Sequence, residues 1–124
     1  DLYFCAGPGT RKARNLDHDP RCVISTPTGP FDLVVEGTAR RELSPTTLER
    51  AAAVYAEKYG WIVSIRDGAF YGEGAPTAGP PPFWLFRFQP TLAFSFAADG
   101  TTGAMRWQFA PGEPATLADP LPAR

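Results

Sequence analysis

The densest chemistry in the chain lies near its start, in Gly7-Pro8-Gly9-Thr10-Arg11-Lys12-Ala13-Arg14-Asn15-Leu16. Glycine lets backbone approach a ligand closely, and Thr10 brings a hydroxyl to the start of a helix whose first N–H groups have no partner further back. With the positive end of the helix dipole added, the segment is a cradle for an anion. Its charges run against the helix. Cations favour helix C-termini and acids N-termini, by about 0.3–1 kcal/mol each. Yet Arg11, Lys12 and Arg14 crowd the first turns, and Asp17 and Asp19 lie at the far end. Local stability does not select that order, whereas a bound phosphate would turn three repelling cations into charge-assisted donors. The competing explanation is a solvated basic turn on a marginal helix.

Other candidates are weaker. Trp84, Phe86, Phe88, Phe94, Phe96, Trp107 and Phe109 give the C-terminal part a high aromatic density. Such residues can line a planar-ligand pocket, but an aromatic stripe at strand spacing is first of all core. Arg106 and Gln108 alternate with Trp107 and face away from that stripe. His18, the lone histidine, has no serine or cysteine nucleophile near it in sequence and reads as a helix-end residue. Glu36 and Glu42, with Arg40 between them, read as a surface ion pattern rather than an acid/base pair. Cys5 and Cys22 lack metal-ligand spacing and are too few for a disulfide framework, which points to reduced thiols in a cytoplasmic protein. No metal site and no catalytic residue is predicted.

These residues need elements to position them. With 124 residues the chain is expected to be one domain. Its 14 prolines and 12 glycines interrupt it too often for a long-helix bundle. No apolar run approaches the roughly 20 residues of a membrane span. A net charge of -1 removes the case for generalised nucleic-acid or membrane-surface binding. Leu2 to Ala6 reads as a strand, followed by a short helix capped by Thr10 and running to about Asp17. Arg21 to Thr26 and Phe31 to Leu43 read as an antiparallel hairpin across Pro27-Thr28-Gly29-Pro30. Ser44-Pro45 and Gly60 bound a helix whose Leu48, Ala51, Ala52, Tyr55 and Tyr59 form one stripe. Trp61 to Ile65 is predicted as a strand, and Asp67 to Pro82, with four Gly and four Pro, as a long surface loop or lid. Phe83 to Gln89, Leu92 to Phe96 and Met105 to Phe109 are predicted as three strands, the last two joined at Asp99-Gly100. Residues 111–124 are predicted to be an irregular tail. The sum is a mainly β protein, a small antiparallel barrel with peripheral helices.

Several segments together resemble a known family. Leu2-Tyr3-Phe4-Cys5-Ala6 running into the Gly7–Leu16 segment, then Asp19-Pro20-Arg21-Cys22-Val23, Asp32-Leu33-Val34-Val35-Glu36-Gly37-Thr38-Ala39, Lys58-Tyr59-Gly60-Trp61 and Met105-Arg106-Trp107-Gln108-Phe109, are similar to the pyridoxamine 5'-phosphate oxidase-like family. This is the flavin and deazaflavin oxidoreductase group common in actinobacteria. The resemblance implies an antiparallel split β-barrel of FMN-binding type over residues 1–110. It implies a homodimer with FMN or the deazaflavin coenzyme F-420 at the subunit interface. It implies that Thr10, Arg11 and Lys12 hold the cofactor phosphate with Asn15 one turn on, that Cys5 and Ala6 run along the cofactor, and that Trp107 and Gln108 lie near it. Relatives often carry Arg-Trp-Arg-Phe at the last motif; here Gln108 replaces the second basic residue and removes a positive charge. Relatives also have a further strand pair before the equivalent of Leu2, so the barrel is expected to be N-terminally incomplete, with unpaired strand edges. The implied activity is FMN- or F-420-dependent oxidoreduction of an unidentified organic acceptor, with small molecules as the only other partners. Alternatives are a non-enzymatic carrier of flavin, haem or another planar ligand on the same fold and, with less support, a true pyridoxamine phosphate oxidase.

Overall fold

A computed structural model describes residues 2–100, 103–110 and 116–117. In chain order the elements are β1 (Leu2–Ala6), α1 (Arg11–His18), β2 (Arg21–Pro27), β3 (Phe31–Arg41), α2 (Pro45–Tyr59), β4 (Ser64–Arg66), β5 (Ala69–Tyr71), β6 (Trp84–Ala97), β7 (Met105–Gln108) and β8 (Thr116–Leu117). The main sheet orders its strands β2-β3-β6-β7-β8 with β1 also on β6, while β4 and β5 pair only with each other. The chain divides into two compact units, one formed by the segments up to Pro20 and from Ala39 to Phe88, the other by Arg21 to Thr38 and from Gln89 onward.

The first unit is built on the antiparallel pair β1 and early β6, in register from Leu2↔Phe88 to Ala6↔Trp84. Side chains alternate across a strand, so Cys5 and Leu85 share one face while Phe4 and Phe86 share the other. Cys5 and Leu85 join Leu48, Trp61, Phe70 and Phe83 in a buried cluster against which Ala51, Ala52 and Tyr55 of α2 pack. Trp61 meets Tyr55, Phe70 and Phe83 edge-on, with ring centroids 5.3, 6.0 and 5.5 Å away. That geometry puts ring edges against ring faces, the arrangement aromatic quadrupoles favour. Pro45 occupies the first turn of α2 as predicted, and Gly60 ends it in a left-handed conformation at φ 66°. Ser44 makes no side-chain cap bond; its N–H instead donates to Glu42 Oε1 at 2.9 Å.

The second unit holds the predicted β2–β3 hairpin, in register from Arg21↔Thr38 to Pro27↔Asp32. The N–H and hydroxyl of Thr28 both donate to the Phe31 carbonyl at 2.8 Å, closing the loop. Late β6 pairs with β7 from Leu92↔Gln108 to Ser95↔Met105. Its turn begins where predicted, with Gly100 N–H donating to the Ala97 carbonyl at 3.1 Å.

Several boundaries differ from expectation. Phe83–Gln89 and Leu92–Phe96 are not two strands, because β6 runs unbroken from Trp84 to Ala97 through Pro90. Pro90 falls between the residues paired with β1 and those paired with β7, so the donor it lacks is taken from neither ladder. The strand predicted at Trp61 starts only at Ser64, and Trp61 itself is core. The long loop is shorter than predicted: β4 and β5 form a hairpin whose two turn residues, Asp67 and Gly68, have φ of 51° and 72°. An Asp-Gly pair with both φ positive is the preferred two-residue hairpin turn, matched to strand twist. β3 stops at Arg41, short of Leu43. In the tail, Thr116 and Leu117 pair with Gln108 and Trp107 as β8, and the remainder of 111–124 lies outside the described residues.

Candidate functional site

β1 ends at Ala6 and the chain turns through Gly7-Pro8-Gly9 into α1. Thr10 has extended backbone and caps the helix: its hydroxyl oxygen accepts from Ala13 N–H at 3.2 Å and donates to the Gly7 carbonyl at 2.7 Å. The single hydroxyl proton is therefore held by the loop. Thr10 shapes the cradle and has no free donor to offer a ligand. The helix buries Ala13 and Leu16, three residues apart, and so leaves Arg11, Lys12, Arg14 and Asn15 exposed. Its first turn contains no acidic residue, and His18 sits in the last turn. Arg14 Nη1 donates to the Gly9 carbonyl at 2.6 Å, drawing a second guanidinium back to the helix start. Lys12 Nζ lies 5.6 Å from the Phe4 ring centroid. Phe4 in turn stacks on Phe86 at 5.3 Å and 12° between planes. A Cβ added at Gly9 would meet nothing within 4 Å, so the approach to the cradle is open.

Two concavities flank α1. A cavity of about 380 Å³ lies beside its N-terminus, between Gly7–Thr10 and the wall formed by Pro80, Pro81 and Pro82. A cleft of about 240 Å³ lies at its other end, lined by Leu16, Asp17, Arg40, Arg41, Trp84 and Phe86. There the Arg41 guanidinium stacks on Trp84 at 4.1 Å, and its Nη2 donates to the Asp67 and Gly68 carbonyls at 3.3 Å. Its Nε is buried with no hydrogen-bond partner.

The structure thus brings Thr10, Arg11, Lys12 and Asn15 together on one short helix. Cys5 and Ala6 close the preceding strand, both buried, with the Cys5 side chain on the α2 face of the sheet. Burial pushes the Cys5 thiol up from its usual range, against a hydrogen bond with Tyr55 that pulls it down. Burial and the same thiol push the Tyr55 phenol up. Cys5 is a protonated core thiol rather than a nucleophile at neutral pH. Trp107 and Gln108 belong to the second unit, where Trp107 Nε1 donates to Ser95 Oγ at 3.2 Å and Gln108 is exposed. Cys5 is buried and Cys22 is partly buried. Among the described residues no three of His, Cys, Asp and Glu gather as a metal site, and no helix is long and apolar enough to cross a membrane.

Sequence reasoning missed Arg41 and the proline wall. Two arginines ending a strand and three consecutive prolines were the available signals, but the partners they find are remote in the chain.

No family model and no curated protein matches this chain. Among solved structures it is similar to PhzG from Burkholderia lata 383, determined in complex with tetrahydrophenazine-1-carboxylic acid. The match has a TM-score of 0.50 at 16% sequence identity and covers 95% of this chain and 68% of that one. PhzG has the pyridoxamine 5'-phosphate oxidase-like fold, and the likeness shows that this chain has an antiparallel split β-barrel fold.

Proposed function

We propose that the protein is an oxidoreductase that binds a phosphate-bearing flavin or deazaflavin, FMN or F-420, and acts on a flat organic acceptor. The observation that carries this reading is the first turn of α1, where exposed Arg11 and Lys12 face solvent with no acid among them, beside an open cavity. The donor set fits a phosphate. Backbone N–H groups of Arg11 and Lys12 lack helical acceptors, and both side chains carry fixed positive charge. Arg14, tied to the Gly9 carbonyl, adds a third charge and stiffens the loop. Thr10 holds the loop to the helix through its two hydrogen bonds. The proline-walled cavity, at about 380 Å³, is within the size range of small-molecule sites.

Such a cofactor supplies hydride or electron transfer, and the protein supplies anchoring, orientation and exclusion of water. Phe4, half-buried and backed by the buried Phe86 ring, offers an apolar face next to the Lys12 ammonium, suited to a ring system joined to an anion. The split β-barrel fold supports the reading, and PhzG was determined with an organic carboxylic acid, tetrahydrophenazine-1-carboxylic acid. The same reading makes the protein a homodimer with the cofactor at the interface. Exposed Val23 and Phe31 in the second unit are available to such a contact. Two cysteines, too few for a disulfide framework, suit a reducing, cytoplasmic setting.

The test is reconstitution with FMN and with F-420, followed by turnover with quinone-like and tetrapyrrole-like acceptors. Bound cofactor with acceptor reduction is expected. Binding without any turnover would make the protein a carrier, and formation of pyridoxal phosphate would make it a pyridoxamine phosphate oxidase.

A further inference from the structure

We infer that the groove between α2 and β1 is a second binding site, for an amphipathic organic carboxylate. The groove has a volume of about 450 Å³ and lies wholly within the first unit. Its α2 wall follows from sequence spacing. Leu48, Ala52 and Tyr55 pack toward the buried cluster, while Arg50, Val54 and Lys58, four residues apart, form an adjacent row that lines the groove. The opposite wall is Leu2 and Tyr3 of β1. Val54 and Leu2 are 55% and 50% exposed, so the apolar part of the groove is open to solvent.

The floor is rigid. Tyr55 is held edge-on by Trp61 and Phe70 and lies 6.0 Å from Tyr59, and its hydroxyl is engaged by the Cys5 thiol. The groove therefore meets the ring of Tyr55 rather than a free hydroxyl. Charge selects the ligand. Arg50 and Lys58 are the ionisable cations of the lining, no carboxylate lines the groove, and neither cation has an acidic partner among the described residues. Lys58 Nζ sits 5.3 Å over the Tyr59 ring, which fixes the ammonium at one end of the aromatic floor. Arg50 and Lys58 are eight residues apart, about 12 Å along the helix axis. A single anion pairs with one end while an apolar body lies along Val54, Ala51 and Tyr55.

The groove shares no lining residue with the α1 cradle, so either site can fail without the other. The test uses 8-anilinonaphthalene-1-sulfonate as a fluorescent probe, displaced by octanoate or by neutral octanol. Octanoate is expected to displace it at a concentration at least tenfold lower than octanol. Arg50→Gln with Lys58→Gln should remove that difference. Val54→Glu, an exposed helical substitution, should abolish octanoate competition while circular dichroism and melting temperature stay unchanged. Equal displacement by octanoate and octanol, or octanoate competition surviving Val54→Glu, would overturn the inference. A change in sedimentation coefficient with Val54→Glu would overturn it too, making the groove an interface between copies of the chain.

Discussion

Lys12 sits where a helix dipole disfavours it, exposed, with its ammonium over Phe4 and no acid in its turn. A side chain so placed costs the free protein a few tenths of a kcal/mol to about 1 kcal/mol at the helix dipole, which the contact with Phe4 roughly offsets, and its net gain comes when an anion arrives. Lys12→Ala should therefore leave the melting temperature equal or slightly raised while weakening FMN or F-420 binding by about 1.5–3 kcal/mol, roughly 10- to 150-fold. Isothermal titration of both variants checks it. Thr10 behaves in the opposite way. Thr10→Ala removes the cap and the tie to Gly7, so thermal stability should fall by about 1 kcal/mol, read from denaturant unfolding. Cys5 and Tyr55 set an alkaline limit. Both keep their protons to higher pH in the folded chain than when unfolded. Below about pH 7.5 both are protonated in either state and contribute no pH dependence. Above it the unfolded chain loses protons first, so stability falls as pH rises. Melting temperatures from pH 8 to 10.5 should show this decline, and it should be shallower in Tyr55→Phe.

At the level of elements, the segment after α2 is held by one close approach. Trp61 Nε1 donates to the Gly72 carbonyl at 3.2 Å, and a Cβ on Gly72 would collide with the Ile62 carbonyl oxygen. Gly72→Ala should cost about 1–3 kcal/mol, the range for overpacking a tight site, and blue-shift or broaden Trp61 fluorescence. Unfolding curves measure the first and emission spectra the second. The elements that sequence revealed are those set by local chemistry. Thr10 with α1, Pro45 and Gly60 around α2, and the Pro27–Pro30 turn all carry their own stop and start signals. β6 was hidden because its continuity through Pro90 depends on which strand lies beside each half. The β4–β5 hairpin was hidden because three-residue strands are too short to show a period, although Asp67-Gly68 marked its turn. The same divide runs through the site. Arg11, Lys12 and Arg14 were legible as charges on the wrong end of a helix. The Arg41–Trp84 stack and the Pro80–Pro82 wall were not, since each joins segments far apart in sequence.

At the level of the whole molecule, an antiparallel split β-barrel fold carries a basic helix start in its first unit and the Trp107–Gln108 strand in its second. The proposed cofactor site requires a dimer, so sedimentation equilibrium should report twice the chain mass, and cofactor should bind one per chain. The central claim is that the α1 cradle recognises a phosphate. It is tested most directly by titrating the protein with FMN and with riboflavin, and with F-420 and its phosphate-free chromophore. One phosphate-bearing partner of the two pairs should bind at least tenfold more tightly than its phosphate-free counterpart, with the preference lost in Lys12→Ala. Equal affinities within both pairs, or no binding of either cofactor, would contradict it.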